Sequence, residues 1–87
     1  MQPFNLYSGT TSGVQATAFL PQTKNNTGHV QVVGNGTVTI EGSANGVNFI
    51  PVVTGVTSSA GQYIALFPFM RANITAASGT TTVFLVI

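Results

Sequence analysis

The chain has 87 residues and a mass of 9.0 kDa, which is the size of one small domain. Charged residues make up 3% of the chain, against about 25% in a typical soluble domain. With no aspartate, no cysteine, one glutamate and one histidine, it lacks paired catalytic carboxylates, three ligands for a metal ion and a disulfide framework. We therefore expect a protein that is not an enzyme and that binds no metal ion or cofactor.

The charge balance and the apolar runs also exclude common partners. A net charge of +1 provides too few cations to neutralise phosphates, so we expect no nucleic-acid partner. The longest mainly apolar run, residues 63–70, contains Pro68 and is too short to cross a bilayer. We therefore expect no membrane partner. The first residues lack the basic and apolar regions of a signal peptide, which predicts synthesis in the cytoplasm without secretion.

The apolar pattern predicts an all-β chain. Val, Ile, Thr, Phe and Tyr alternate with polar residues between clusters of Gly, Asn and Ser, and no segment keeps the spacing of a helix. In chain order, seven strands are expected over residues 14–20, 29–33, 37–42, 47–54, 62–67, 70–76 and 80–87. Residues 4–7 add an eighth strand if they pair.

Three features predict how these strands are connected. Residues 34–36, Gly-Asn-Gly, supply positive φ angles for a tight turn. Asn45-Gly46 is the sequence of a two-residue type I′ hairpin turn. Pro51 cannot donate a hydrogen bond to a neighbouring strand, so it predicts an edge position or a bulge.

Short antiparallel strands in one small domain are typical of a β-sandwich of jelly-roll or immunoglobulin-like type. We expect this sandwich over residues 13–87. Residues 1–12 have the composition of an N-terminal arm, since they combine Pro3 with a run of Ser, Gly and Thr. Such an arm either lies loose or orders when it binds a neighbouring molecule.

Two further apolar segments are candidates for contact with other subunits. Residues 83–87 are apolar on both faces, which is typical of a central strand or of a strand that a second molecule covers. Residues 67–70 place two aromatic side chains and a methionine around a proline, either in the core or at an interface. Together with the arm, these segments give the candidate interface residues Phe4, Leu6, Tyr7, Phe67, Phe69, Met70, Phe84 and Val86.

The few charged and titratable residues support weaker expectations. Glu41 and Arg71 both lie at outward positions of predicted strands, where two separately solvated charges are favoured over an ion pair. His29 begins a strand and is expected at an edge or a turn rather than as a ligand. Lys24 is expected to be a solubilising charge in a polar loop.

Part of the chain resembles known β-sandwich domains. Residues 38–49, VTIEGSANGVNF, and residues 70–75, MRANIT, are similar to a pattern of discoidin-like domains. In that pattern a strand ends in Glu-Gly-Ser, a tight turn and an aromatic residue follow, and a later strand alternates Arg and Asn with apolar residues. The aromatic residue is Phe49 here, where that pattern often has Trp, and discoidin-like domains are considerably longer.

The whole chain, which is short, rich in Thr and Gly and poor in charge, resembles the capsid decoration (cement) proteins of tailed bacteriophages. This resemblance implies a non-enzymatic virion protein on the capsid exterior that bridges major capsid subunits and stabilises the phage head. It also implies a homo-oligomer, with a trimer favoured because capsid lattices offer three-fold positions. A phage tail, baseplate or fibre component is the first alternative. A carbohydrate-binding module, with Tyr63, Phe67 or Phe69 stacked on a sugar, is the second.

Overall fold

The computed structural model describes residues 3–20, 26–58, 61–76 and 79–87. Within these ranges the chain forms nine β-strands and no helix, which confirms the all-β prediction. Lys24 and its loop lie outside the described residues. The strands are β1 (Pro3–Gly9), β2 (Gly13–Val14), β3 (Ala18–Phe19), β4 (Thr27–Gly34), β5 (Thr37–Ser43), β6 (Ile50–Val56), β7 (Gln62–Ala65), β8 (Phe69–Ala76) and β9 (Thr81–Val86).

The strands form two antiparallel sheets. Sheet A has the strand order β1-β9-β4-β7, and sheet B has the order β2-β8-β5-β6, with β3 also paired to β8. The shortest dimension of the molecule is 17 Å, which accommodates two sheets packed about 10 Å apart together with their outer side chains. The predicted small β-sandwich is therefore confirmed.

The core forms where the alternating apolar residues of both sheets face each other. In β5 and β8 the apolar residues of the alternating pattern face inward, and Ile40 and Ile74 are both almost completely buried. Burial of one such side chain contributes about 1.5–3 kcal/mol. The buried apolar residues are Leu6, Leu20, Val30, Val32, Val38, Ile40, Val56, Ile64, Met70, Ala72, Ile74, Val83 and Leu85.

The N-terminal segment differs from the expected arm, because residues 3–9 form a strand at the edge of sheet A. β1 pairs with β9 from Pro3 opposite Val86 to Gly9 opposite Thr81, so the eighth strand that the sequence left open is present. Leu6 is 8% exposed and belongs to the core. Apolar side chains at alternate positions thus outweigh the Ser/Gly/Thr composition of the rest of the segment.

The predicted strand over residues 14–20 is divided into β2 and β3. Both pair with β8, and between them the backbone N–H of Gln15 donates to the carbonyl of Ala72 at 2.8 Å. Ala16 and Thr17 are exposed. Because these two side chains do not pack on the sheet, the pairing with β8 is regular only at the two ends of the segment.

The type I′ hairpin predicted at Asn45-Gly46 is wrong. That turn requires a positive φ at both residues, and only Gly46, at +78°, has one. A longer loop over residues 44–49 joins β5 to β6, because side chains satisfy its backbone. The Ser43 Oγ accepts the N–H groups of Asn45 and Gly46, and the Asn45 Oδ1 accepts those of Val47 and Asn48.

Two other predictions about connections agree with the structure. The turn at residues 34–36 uses a positive φ of +113° at Gly34, and it carries the chain from β4 in sheet A to β5 in sheet B. Pro51 lies in β6, opposite Glu41 of β5. β6 is an edge strand, and its pairing with β5 contains register shifts. Both the edge position and the irregular pairing that Pro51 predicted are therefore confirmed.

Candidate interaction surface

The outer face of sheet B, called face B below, carries an ion pair at its centre. Glu41 and Arg71 lie directly opposite each other on β5 and β8. The Arg71 Nε donates to the Glu41 Oε1 at 2.6 Å, and the two side chains are 26% and 16% exposed. The expectation of two separately solvated charges was wrong, because the strand register brings the two residues together.

Phe49 completes this cluster from the β5–β6 loop. The guanidinium carbon of Arg71 lies 3.8 Å from the centre of the Phe49 ring, which is cation–π geometry. The residues of the discoidin-like pattern therefore meet at one place: the acid of β5, the aromatic residue after the turn and the arginine of β8. Their contacts hold the loop over residues 44–49 against sheet B, which is a structural role.

The turn at residues 67–70 places most of its apolar side chains against the core, at one end of sheet B. Met70 is completely buried, and its sulfur accepts the N–H of Phe67 at 3.3 Å. The half-buried Phe67 ring lies against Gly42, where an added Cβ would lie 2.5 Å from the ring. Phe69 lies on face B, and its ring packs against Phe19 with the ring centres 5.2 Å apart. Of the two predicted locations for this turn, Met70 therefore lies in the core, and Phe67 is half-buried against it.

The outer face of sheet A, called face A below, is built from rows of residues that the strand register places side by side. One row runs across all four strands from Pro3 to Tyr63, and the next has Phe84 at its centre. The residues of face A are Pro3, Asn5, Ser8, Thr27, His29, Gln31, Val33, Tyr63, Ala65, Thr82, Phe84 and Val86.

Face A contains no Asp, Glu, Lys or Arg side chain among the described residues. The charged side chains that the structure describes, Glu41 and Arg71, both lie on face B. Phe84 is half-buried between the amide side chains of Asn5 and Gln31, which lie opposite it on the two neighbouring strands. Face A is thus an apolar strip flanked by groups that both donate and accept hydrogen bonds.

The edges of face A are held by polar and aromatic contacts. The His29 ring meets the Tyr63 ring edge-on, with the ring centres 5.1 Å apart, and Tyr63 is 79% exposed. On the opposite side, the Ser8 and Thr82 hydroxyls are 3.0 Å apart. Hydroxyl, imidazole and phenol groups therefore surround the apolar centre, and each of them keeps some capacity to bond a partner.

The structure divides the predicted interface residues among face A, the interior and, for Phe69, face B. Phe84 and Val86 lie on face A, on the strand that β1 and β4 flank. Leu6 lies in the core, and Phe4 and Tyr7 are half-buried against it. Asn5 and Gln31 were not predicted to be neighbours of Phe84. The alternation of residues 29–33 identifies Gln31 as outward, but only the pairing with β9 shows which residue lies beside it.

We found no metal site or membrane-spanning helix in the described residues, and no similar protein for the chain. Among the described residues, no three His, Asp or Glu side chains lie close enough to hold a metal ion. The described part of the chain also has no helix that is long and apolar enough to cross a membrane. No protein-family model, no curated protein and no solved structure matches the chain.

Proposed function

We propose that this chain is a non-enzymatic virion structural protein: a capsid cement protein that binds the major capsid protein on the exterior of a phage head through face A. The observation that carries the proposal is the distribution of side chains between the two faces. Face A presents Phe84 and Val86 among amides and hydroxyls, and the charged side chains of the described residues lie on face B.

A face of this kind suits permanent contact better than life in free solution. Half-buried Phe84 supplies an aromatic anchor, and the flanking Asn5 and Gln31 amides can bond the backbone groups of a partner. Such contacts are insensitive to ionic strength, whereas salt screens exposed ion pairs. A particle that meets widely varying salt would keep a coat that is attached in this way. Weak charge repulsion between copies also matters little once the copies are assembled.

The strand order gives the proposal independent support. When β2 and β3 are counted as one divided strand, the sheets β1-β9-β4-β7 and β2/β3-β8-β5-β6 have the arrangement of an eight-stranded jelly roll. That architecture is used in viral capsid proteins and in lectins. Because a fold alone does not determine a function, the choice between these two uses depends on the surface.

The surface favours the capsid role over sugar binding. Of the three aromatic residues considered for sugar stacking, Phe67 packs on Gly42 and Phe69 packs on Phe19, which leaves Tyr63 as the freely exposed ring. A glycan array tests this choice, since specific binding of one sugar class by the isolated protein would contradict the cement role.

The test of the proposed function is the number of copies in purified virions. Quantitative mass spectrometry of particles from the virus that encodes the chain should find hundreds of copies per particle. A handful of copies would place the protein in the tail, baseplate or fibre, and its absence from particles would overturn the proposal. Sedimentation should find a homo-oligomer, with a trimer favoured, whereas a stable monomer at micromolar concentration would count against it.

A further inference from the structure

We propose that β1 is an exchangeable strand, which leaves its own sheet A and pairs with β9 of a second copy of this chain. This inference deepens the proposed function by identifying the surface that joins the copies. It rests on the proposed function in one respect, because attachment to one particle brings the copies close together.

The position of β1 in the sheet makes exchange possible. β1 lies at the edge of sheet A, and its one sheet neighbour among the described strands is β9. Six residue pairs join the two strands, and a register shift between Asn5 and Tyr7 interrupts them. The strand can therefore be removed without breaking any other strand pair.

β9 requires a partner on that side, whichever chain provides it. Val83 and Leu85 of β9 are fully buried, and Leu6 of β1 covers the same core. Without β1, the backbone N–H and C=O groups along one side of β9 would be unpaired, as on any open sheet edge. The β1 strand of a second copy provides the same hydrogen bonds and the same leucine, so the exchanged and closed forms share nearly all their contacts.

The segment that joins β1 to β2 has the features of a hinge. Residues 10–12 are exposed and carry the chain from sheet A to sheet B. Gly13 ends the segment with a φ of +98° and has open space around it. A short connection between two sheets is a position at which strand exchange occurs, and extension of residues 10–12 carries β1 away from its own sheet.

The contacts specific to the closed form lie in this hinge. The Tyr7 hydroxyl accepts the N–H of Thr11 at 3.0 Å and also lies 3.2 Å from the Thr11 carbonyl oxygen, to which it donates. The Gln15 side-chain amide donates to the same carbonyl at 2.9 Å. These contacts are exposed, so water replaces them in part when the hinge opens, and they favour the closed form only modestly.

Exchange of one strand also fits the expected symmetry. The donating element, β1, and the accepting edge, β9, are different surfaces of the chain, so the contact is head-to-tail. Contacts of this type form a ring when the rotation between copies closes and an open filament when it does not. A ring of three would match a three-fold position on a capsid lattice.

A cysteine pair tests the exchange directly, because the chain contains no cysteine. The Ser8 and Thr82 hydroxyls, on β1 and β9, are 3.0 Å apart, so we would oxidise the double variant Ser8→Cys/Thr82→Cys after assembly at high concentration. Exchange predicts covalent dimers and trimers on a non-reducing gel. The matched control Val33→Cys/Thr82→Cys joins β4 to β9, which stay in one chain, and should give only single chains.

Only single chains from the Ser8→Cys/Thr82→Cys variant, whether it is an oligomer or a monomer, would overturn the exchange. Where thiol titration finds free cysteines, a short bis-maleimide replaces oxidation and the same bands decide. Tyr7→Phe, in the cysteine-pair background, should raise the covalently joined fraction about fivefold by removing the hinge contacts, and an unchanged fraction would contradict the role of Tyr7. Interchain links in a protein that is absent from virions would refute the virion role and leave the exchange intact.

Discussion

The two outer faces of the sandwich present different chemistry, although the same alternation of inward and outward residues produces both. Face B carries the described charges at its centre, where Arg71 pairs with Glu41 and lies over Phe49. Face A has Phe84 at its centre, between two amides. In a chain with so few charges, their position indicates which face is built to remain in contact with water.

The difference is one of placement rather than of overall polarity. Face B also has apolar residues, and Val14 and Phe19 are more than half exposed, but they lie on the short strands β2 and β3, where Phe19 packs on Phe69. On face A the apolar residues of β9 occupy the middle of the sheet and lack a cover within the described chain. We therefore expect a partner on face A and solvent on face B.

The largest expected effect is a loss of stability that differs between the inward and outward side chains of β9. Leu85→Ala removes a fully buried side chain of β9 and should lower the free energy of unfolding by about 2–5 kcal/mol. Phe84→Ser, at the next position on face A, should lower it by less than half as much and mainly weaken attachment to the particle. Urea denaturation measures both variants, and equal losses would mean that face A belongs to the core of the single chain.

The next largest loss of stability should come from crowding Phe67. Its ring lies against the inward-facing Gly42, so we expect it to pack on the core and not on either outer face. Gly42→Ala would place a Cβ 2.5 Å from the Phe67 ring and should destabilise the protein by about 1–3 kcal/mol through overpacking. The double variant Gly42→Ala/Phe67→Leu should recover part of this loss in the same thermal or urea melts. A neutral Gly42→Ala would indicate that the ring moves freely and is available to a partner.

Salt should have a small effect on attachment if face A forms the contact. Between about 50 and 500 mM NaCl we expect the apparent affinity for particles to change less than about twofold, because screening acts on charges and not on apolar or amide contacts. Co-sedimentation with particles measures this. A fall of more than about tenfold would instead point to the charged residues of face B or to Lys24.

The smallest effect should come from the ion pair on face B. Glu41→Gln removes the charge opposite Arg71 and should lower the free energy of unfolding by about 1 kcal/mol or less, since the pair is partly exposed. Particle attachment should not change. A clear loss of attachment by Glu41→Gln with normal stability would reverse the assignment of the two faces.

The sequence predicted the strands that alternate cleanly and missed what depends on pairing. The alternation over residues 37–42 and 70–76 predicted two strands that the structure contains, and Pro51 indicated an edge. The Asn45-Gly46 signal failed because the Ser43 and Asn45 side chains offered the loop backbone other partners.

Face A was only partly predictable for the same reason. Phe84 and Val86 were recognised from the two-faced apolar pattern of the last strand. Asn5 and Gln31 lie far apart in the sequence and become neighbours of Phe84 only through the pairing of β1 and β4 with β9. No local pattern contains that information, because it depends on the order of strands in the sheet.

The most direct test of face A as the attachment surface compares two lysine substitutions. Phe84→Lys and Asn73→Lys each add one positive charge at a half-buried outward position of a strand with neighbours on both sides, the first on face A and the second on face B. In co-sedimentation with particles stripped of this protein, Phe84→Lys should weaken binding at least about tenfold, or about 1.4 kcal/mol. Asn73→Lys should bind within about twofold of the unaltered chain. Normal binding by Phe84→Lys, or a loss confined to Asn73→Lys, would contradict the assignment of face A.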